Sequence, residues 1–131
     1  MKNEDIILPD ELNYLDNWFW DIISEANHDI KKLKEILWNL QKEDIYRFQE
    51  IYLDAAGELR DEPFTNFTEE SEDGIEDISY WVVSKGKAYY ADIINNPEKI
   101  PFCVDGMLES NFVYVAFEVY EEKYNERLDL Y

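Results

Sequence analysis

The sequence predicts an all-α fold, a compact single-domain bundle of about five to six helices. Hydrophobic residues recur at helical spacing in five stretches of the chain. Only four glycines and four prolines interrupt 131 residues, too few for a β-sandwich rich in tight turns. The four Trp, ten Tyr and seven Phe supply enough large side chains for a core, and the length predicts one domain over residues 1–131.

Three hydrophobic stripes predict helices in the first half of the chain. Asp10 is expected to cap the first helix, leaving residues 1–9 as a flexible N-terminal segment. Glu43 or Asp44 is expected to open the third helix, and Pro63 to close that segment. The stripes are Leu12, Leu15, Phe19, Ile22, Ile23 and Ala26; Ile30, Leu33, Leu37 and Leu40; and Ile45, Phe48, Tyr52, Ala55, Ala56 and Leu59.

A charged and turn-prone stretch over residues 61–73 predicts the main loop. Phe64 and Phe67 lie within it and are expected to pin the loop to the body of the domain. Asp73 or Ser71 is then expected to cap a fourth helix, because both side chains can accept a hydrogen bond from the first turn. That helix would bury Ile75, Ile78, Trp81 and Val82.

Two further helices are predicted in the last third of the chain. Gly86 is expected to end the fourth helix, and a short helix over residues 88–95 would stop before Pro97. Residues 112–117 are β-branched and aromatic, which also suits a buried strand. The hydrophobic spacing continues over residues 108–124, however, and this length favours a helix.

The charge of the chain excludes several classes of partner. The formal net charge is −19, from 31 acidic and 12 basic residues, so phosphate-rich nucleic acid and anionic membrane surfaces would be repelled. The N-terminus lacks the pattern of a signal peptide, and no apolar run reaches the ~20 residues needed to span a membrane. We therefore expect a cytoplasmic protein whose partner is a basic protein.

The sequence offers no catalytic residues, and neither a metal nor a cofactor is predicted. His28 lies in a polar turn and is expected to be solvated, whereas Cys103 is expected to be a small buried hydrophobe. A Cys–His pair is the less favoured alternative. Residues 69–74 resemble the start of a calcium loop, but Glu69 and Tyr80 stand where an EF-hand has Asp and Glu. A solvated acidic loop is the favoured interpretation.

Several segments together resemble the bacterial domain-of-unknown-function family forty-two forty. The resemblance covers residues 17–124, with Ile75 standing where the family usually has an aromatic residue and a polar loop at residues 60–70. It implies a mainly helical fold and a bacterial origin, and it carries no reaction. The matching segments are residues 71–74, residues 80–86, Tyr90, Asn96–Pro97, Phe19–Trp20 and Phe48.

Charge, size and the lack of catalytic groups favour a protein-binding function. The leading hypothesis is an immunity-type protein that neutralises a basic toxin, such as a nuclease, by direct binding. A regulatory or ligand-sensing domain with an aromatic pocket near Trp18, Trp20 or Trp81 is the alternative, and a carboxylate-based enzyme is the third possibility. The candidate partner-binding residues are Glu69, Glu70, Glu72, Asp73, Glu118, Glu121 and Glu122.

Overall fold

In the part of the chain that the structure describes, six α-helices make up the regular structure, together with two single turns of 3-10 helix. The computed structural model describes residues 16–104 and 112–130. Within that part of the chain there is no strand, which confirms the all-α prediction. The helices are α1 (Asp16–Ala26), α2 (Ile30–Trp38), α3 (Lys42–Gly57), α4 (Glu72–Ser84), α5 (Lys87–Asn95) and α6 (Phe112–Tyr124), and the 3-10 turns are Phe64–Phe67 and Pro97–Lys99.

Local hydrogen bonds explain where several helices begin and end. The side chain of Asp29 accepts from the backbone N–H of Lys31 at 2.9 Å and so caps α2. Ser71 caps α4, because its Oγ accepts from the backbone N–H of Gly74 at 3.0 Å. Gly86 follows α4 with a φ of +108°, a conformation that a side chain would strain.

The predicted start of α3 is wrong by two or three residues. Gln41 is the N-cap of α3, so Glu43 and Asp44 lie inside its first turn instead of opening it. The physical reason is that carboxylates in a first turn are favoured by the positive end of the helix dipole, whether or not they cap it. The predicted cap at Asp10, the segment 1–9 and the predicted start of the last helix near residue 108 lie outside the described residues.

Helix α3 lies at the centre and runs antiparallel to two neighbours. It packs against α4 and α6, while α2 packs against α1 and α6. The Oη of Tyr52 in α3 donates to the backbone carbonyl of Tyr80 in α4 at 2.7 Å. The Nε2 of Gln49 donates to the carbonyl of Val113 in α6, also at 2.7 Å. Buried polar groups of α3 therefore join it to both neighbours.

Aromatic rings fill the core between these helices. The ring of Phe19 lies 5.0 Å from that of Phe48 and 4.8 Å from that of Trp20, in the tilted and edge-on arrangements that aromatic pairs favour. The Oη of Tyr90 donates to the carbonyl of Ala55 at 2.8 Å, so this buried phenol is satisfied. The aromatic groups near residues 19 and 90 therefore serve mainly as core.

Two side chains that the sequence assigned to the interior are exposed. Phe64 is 7% exposed and anchors the loop as predicted, but Phe67 is 42% exposed because Thr68 occupies the buried position after it. Cys103 is also exposed. Its segment is anchored by Ile100 and Val104, and the residues between them turn toward solvent.

No helix within residues 16–104 or 112–130 is long and apolar enough to cross a membrane.

Candidate functional site

The four predicted carboxylates at residues 69–73 lie at the start of α4, but they differ in their surroundings. The backbone N–H of Glu69 donates to the carbonyl of Phe102 at 3.0 Å, and its carboxylate accepts from Ser71 Oγ at 3.1 Å. Glu69 is half-buried and helps to build the loop. Glu70, Glu72 and Asp73 are exposed to solvent.

Gly74 allows the side chain of Glu69 to fold over the end of α4. A Cβ atom at position 74 would overlap the carboxylate of Glu69. The carboxylate therefore approaches the N-terminal turn of the helix, where the helix dipole favours negative charge. Among the described residues, no group of three or more His, Cys, Asp or Glu side chains is placed to hold a metal ion.

Two exposed phenylalanines stand beside these carboxylates. Phe102 is 65% exposed and Phe67 is 42% exposed. The hydrogen bond from Glu69 N to Phe102 O joins the two chain segments that carry these rings. We call the surface formed by Phe67, Glu70, Glu72, Asp73 and Phe102 the loop face. The sequence predicted Phe67 to be an anchor of the loop and gave no sign that Phe102 would be exposed beside it.

The second predicted set lies on α6, where Glu118, Glu121 and Glu122 are exposed. Glu122 is already engaged, because its Oε2 accepts from Lys34 Nζ at 3.2 Å. A groove of about 690 Å³ runs beside Glu121. We call this surface the helix face. The groove is lined by Tyr114, Phe117, Glu121, Arg127, Leu128 and Asp129.

The two faces lie toward opposite ends of α3. At its C-terminal end, Arg60 Nη1 lies 3.6 Å from the carboxylate of Glu76 in α4. At its N-terminal end, Lys42 Nζ lies 2.7 Å from the carboxylate of Glu126, just after α6. A helix of this length spans roughly 24 Å. The structure therefore brings the predicted residues together within each set and keeps the two sets apart.

Internal contacts occupy most of the described positive charges. The hydrogen bond to Glu126 raises the pKa of Lys42 above its ordinary value. Exposed ion pairs contribute little to stability, but each one removes a cation from the free surface. The ion pairs are Lys34–Glu122, Lys42–Glu126, Arg60–Glu76 and Lys99–Asp92, and the cation–ring contacts include Arg47–Trp18, Lys85–Trp81 and Lys123–Trp38.

A smaller cleft bears on the ligand-sensing hypothesis. It has a volume of about 370 Å³ and lies between α1 and the junction of α4 with α5. Trp20 and the exposed His28 contribute to its lining, as do Lys85 and Lys87. Trp81 instead packs edge-on against Tyr89, with ring centroids 5.7 Å apart. Of the two residues weighed as a Cys–His pair, His28 lines this cleft and Cys103 lies beside the loop face.

Comparison with known proteins identifies the family. No curated protein and no solved structure matches the chain. A family model described as "Protein of unknown function (DUF4240)" matches residues 16–125, which include all six helices and both acidic faces. The match agrees with the resemblance found in the sequence. The chain therefore belongs to the DUF4240 family.

Proposed function

We propose that this protein is an acidic binding module of the immunity type, which neutralises a basic protein such as a toxic nuclease by covering its cationic surface. The observation that carries the proposal is the distribution of charge. Internal ion pairs and ring contacts occupy most of the described cations, while Glu70, Glu72 and Asp73 are exposed. A partner rich in Lys and Arg is complementary to such a surface.

The size of the net charge supports the same conclusion. A net charge of about 2–8 keeps a small domain soluble, whereas this chain carries −19. Additional carboxylates repel one another and lower the stability of the free domain. A cationic partner would relieve that repulsion on binding, which gives the excess charge a use in recognition.

The test begins with capture of partners by the full chain, at low salt, from the organism that encodes it. We expect the chain to retain a basic protein, which can then be purified for binding measurements. Its association rate should fall at least tenfold between low and physiological salt, because exposed charges are screened beyond ~8 Å at physiological ionic strength. Expression of the partner alone should arrest growth, and co-expression of this chain should restore it.

Variants that remove charge supply the control. Neutralising the acidic residues of the loop face (E70Q, E72Q and D73N) or of the helix face (E118Q, E121Q and E122Q) should weaken binding at the face that is used. Neutralising Glu25 and Glu50, which are exposed outside both sets, serves as the matched control. An acidic partner, or an association rate that does not change with salt, would refute the proposal.

The ligand-sensing alternative is favoured by one feature, the cleft whose lining includes Trp20. A small molecule bound there should change tryptophan fluorescence and raise the melting temperature of the wild-type chain. The variant K85A would weaken that response if the cleft binds an anionic compound. A screen of metabolites that leaves both signals unchanged would argue against this alternative.

A further inference from the structure

We infer that the loop face is the centre of contact, and that Phe67 and Phe102 bind an apolar side chain flanked by Lys or Arg on the partner. The inference rests on the proposed function and names the surface and the chemistry that it uses. Large exposed apolar side chains are informative where they are grouped and rimmed by charge. Here two exposed phenylalanines and three exposed carboxylates lie on chain segments that the hydrogen bond from Glu69 N to Phe102 O joins.

The loop face is held in shape before any partner arrives. The 3-10 turn Phe64–Phe67 is anchored by the buried ring of Phe64. The bond from Glu69 N to Phe102 O then fixes the second segment against the first. Ser71 Oγ donates to the Glu69 carboxylate and accepts from Gly74 N, which ties the loop to α4. A pre-ordered surface loses little conformational entropy on binding, which favours affinity.

The charge around the two rings selects the partner. Glu70, Glu72 and Asp73 are exposed. Arg60 lines a small cleft together with Glu72 and Asp73, but its guanidinium is engaged inside the chain, because Nη1 pairs with Glu76 and Nη2 donates to Tyr80 Oη at 2.7 Å. An acidic segment would be repelled here, and an uncharged one would leave the carboxylates without a counter-charge.

The helix face is less suited to the same partner. Glu122 is paired with Lys34, and Arg127 lines the groove, where it would repel a cationic segment. Tyr114 and Phe117 also make contacts within the chain. Tyr114 is 46% exposed, about as much as Phe67, so the helix face differs from the loop face in its cations and its internal contacts and not in the exposure of this ring.

The inference can be tested with a defined probe. A short synthetic peptide in which Leu and Phe alternate with Lys and Arg is titrated into the ¹⁵N-labelled full chain. A peptide of equal charge with Ser in place of Leu and Phe is the control. We expect amide shifts to concentrate at residues 67–73 and 100–103, and the Ser peptide to bind at least tenfold more weakly.

Residue Cys103 adds a second readout, because it is the single cysteine and lies beside Phe102. Its alkylation should slow when the apolar basic peptide is bound.

Variants of the exposed rings separate this inference from the proposed function. The double variant F67A/F102A should weaken binding of the peptide by about 30-fold, as expected for aromatic residues at the centre of an interface. Y114A, on the helix face, is the matched control and should bind like the wild type. Because Phe67 and Phe102 are exposed, the melting temperature of F67A/F102A should stay close to that of the wild type.

Each outcome bears on a stated claim. Shifts that cluster on α6, or equal binding of the two peptides, would overturn the role of the loop face and leave an acidic binding module intact. If no basic peptide binds and no basic protein is captured at low salt, the inference and the proposed function are both wrong. If F67A/F102A binds the apolar basic peptide more weakly and Y114A binds it like the wild type, the loop face is the contact surface.

Discussion

The variant Q49M should be more stable than the wild-type protein, although it removes a buried hydrogen bond. Gln49 is fully buried in α3, and its Nε2 donates to the carbonyl of Val113 in α6. Its Oε1, however, is buried and accepts no hydrogen bond from any group in residues 16–104 or 112–130. The Gln49 side chain therefore combines a favourable hydrogen bond with a buried oxygen that lacks one. Methionine has nearly the same shape and carries neither polar group.

The two contributions have different sizes. Losing the hydrogen bond costs about 1 kcal/mol net, whereas an unsatisfied buried polar group costs about 1–3 kcal/mol. The carbonyl of Val113 is in the first turn of α6 and keeps the intrahelical bond that the helix provides. Methionine is flexible and fills irregular core space without polar atoms. We expect a net gain of about 1 kcal/mol in the free energy of unfolding, which is a rise of about 4 °C in melting temperature for a domain of this size.

Urea and thermal unfolding followed by circular dichroism would measure this change. The variant Q49A is the control, because it removes the same polar groups but leaves a cavity and should lose about 2 kcal/mol or more. Equal m-values in the three proteins would show that the comparison concerns the folded state. If Q49M proves less stable than the wild type by more than about 1 kcal/mol, the Oε1 has a partner and the reasoning is refuted.

Three further changes have definite expected outcomes. Y52F removes the bond to the Tyr80 carbonyl and should cost about 1 kcal/mol at neutral pH. Burial raises the pKa of Tyr52 well above its ordinary value, so the wild type should lose stability as the pH rises past about 10, and Y52F should lose less; urea unfolding at pH 8 and pH 11 measures the difference. S71A should cost about 1 kcal/mol through the lost cap, while S71T should retain most of the stability in thermal unfolding. G74A should displace the Glu69 carboxylate and shift the Ser71 and Phe102 amide resonances without unfolding α4.

Much of the fold could be predicted because the helices are amphipathic and their ends carry local signals. The stripes at residues 30–40 and 45–59 correspond to α2 and α3, and Ser71 and Gly86 mark the two ends of α4. These signals depend on residues within a few positions of each other. The choice of helix over strand for α6 followed from the length of its pattern, and α6 confirms it.

The features of the loop face could not be predicted in the same way. The bond from Glu69 N to Phe102 O joins residues far apart in the sequence, and no local pattern encodes it. Exposure of Phe67 depends on Thr68 taking the buried position, and exposure of Cys103 depends on Ile100 and Val104 anchoring their segment. Hydrophobic character alone predicts burial for all of these side chains, so their positions had to come from the tertiary structure.

The two acidic faces differ in how the fold accommodates their charge. Glu72 and Asp73 lie in the first turn of α4, where the helix dipole favours each carboxylate by about 0.3–1 kcal/mol. Glu121 and Glu122 lie in the last turn of α6, where the same dipole opposes negative charge. Near that end, lysines of other helices pair with Glu122 and with Glu126. The fold thus offsets part of the charge of the helix face with its own cations. At the loop face the positive end of the α4 dipole stabilises Glu72 and Asp73, and both carboxylates remain exposed to solvent.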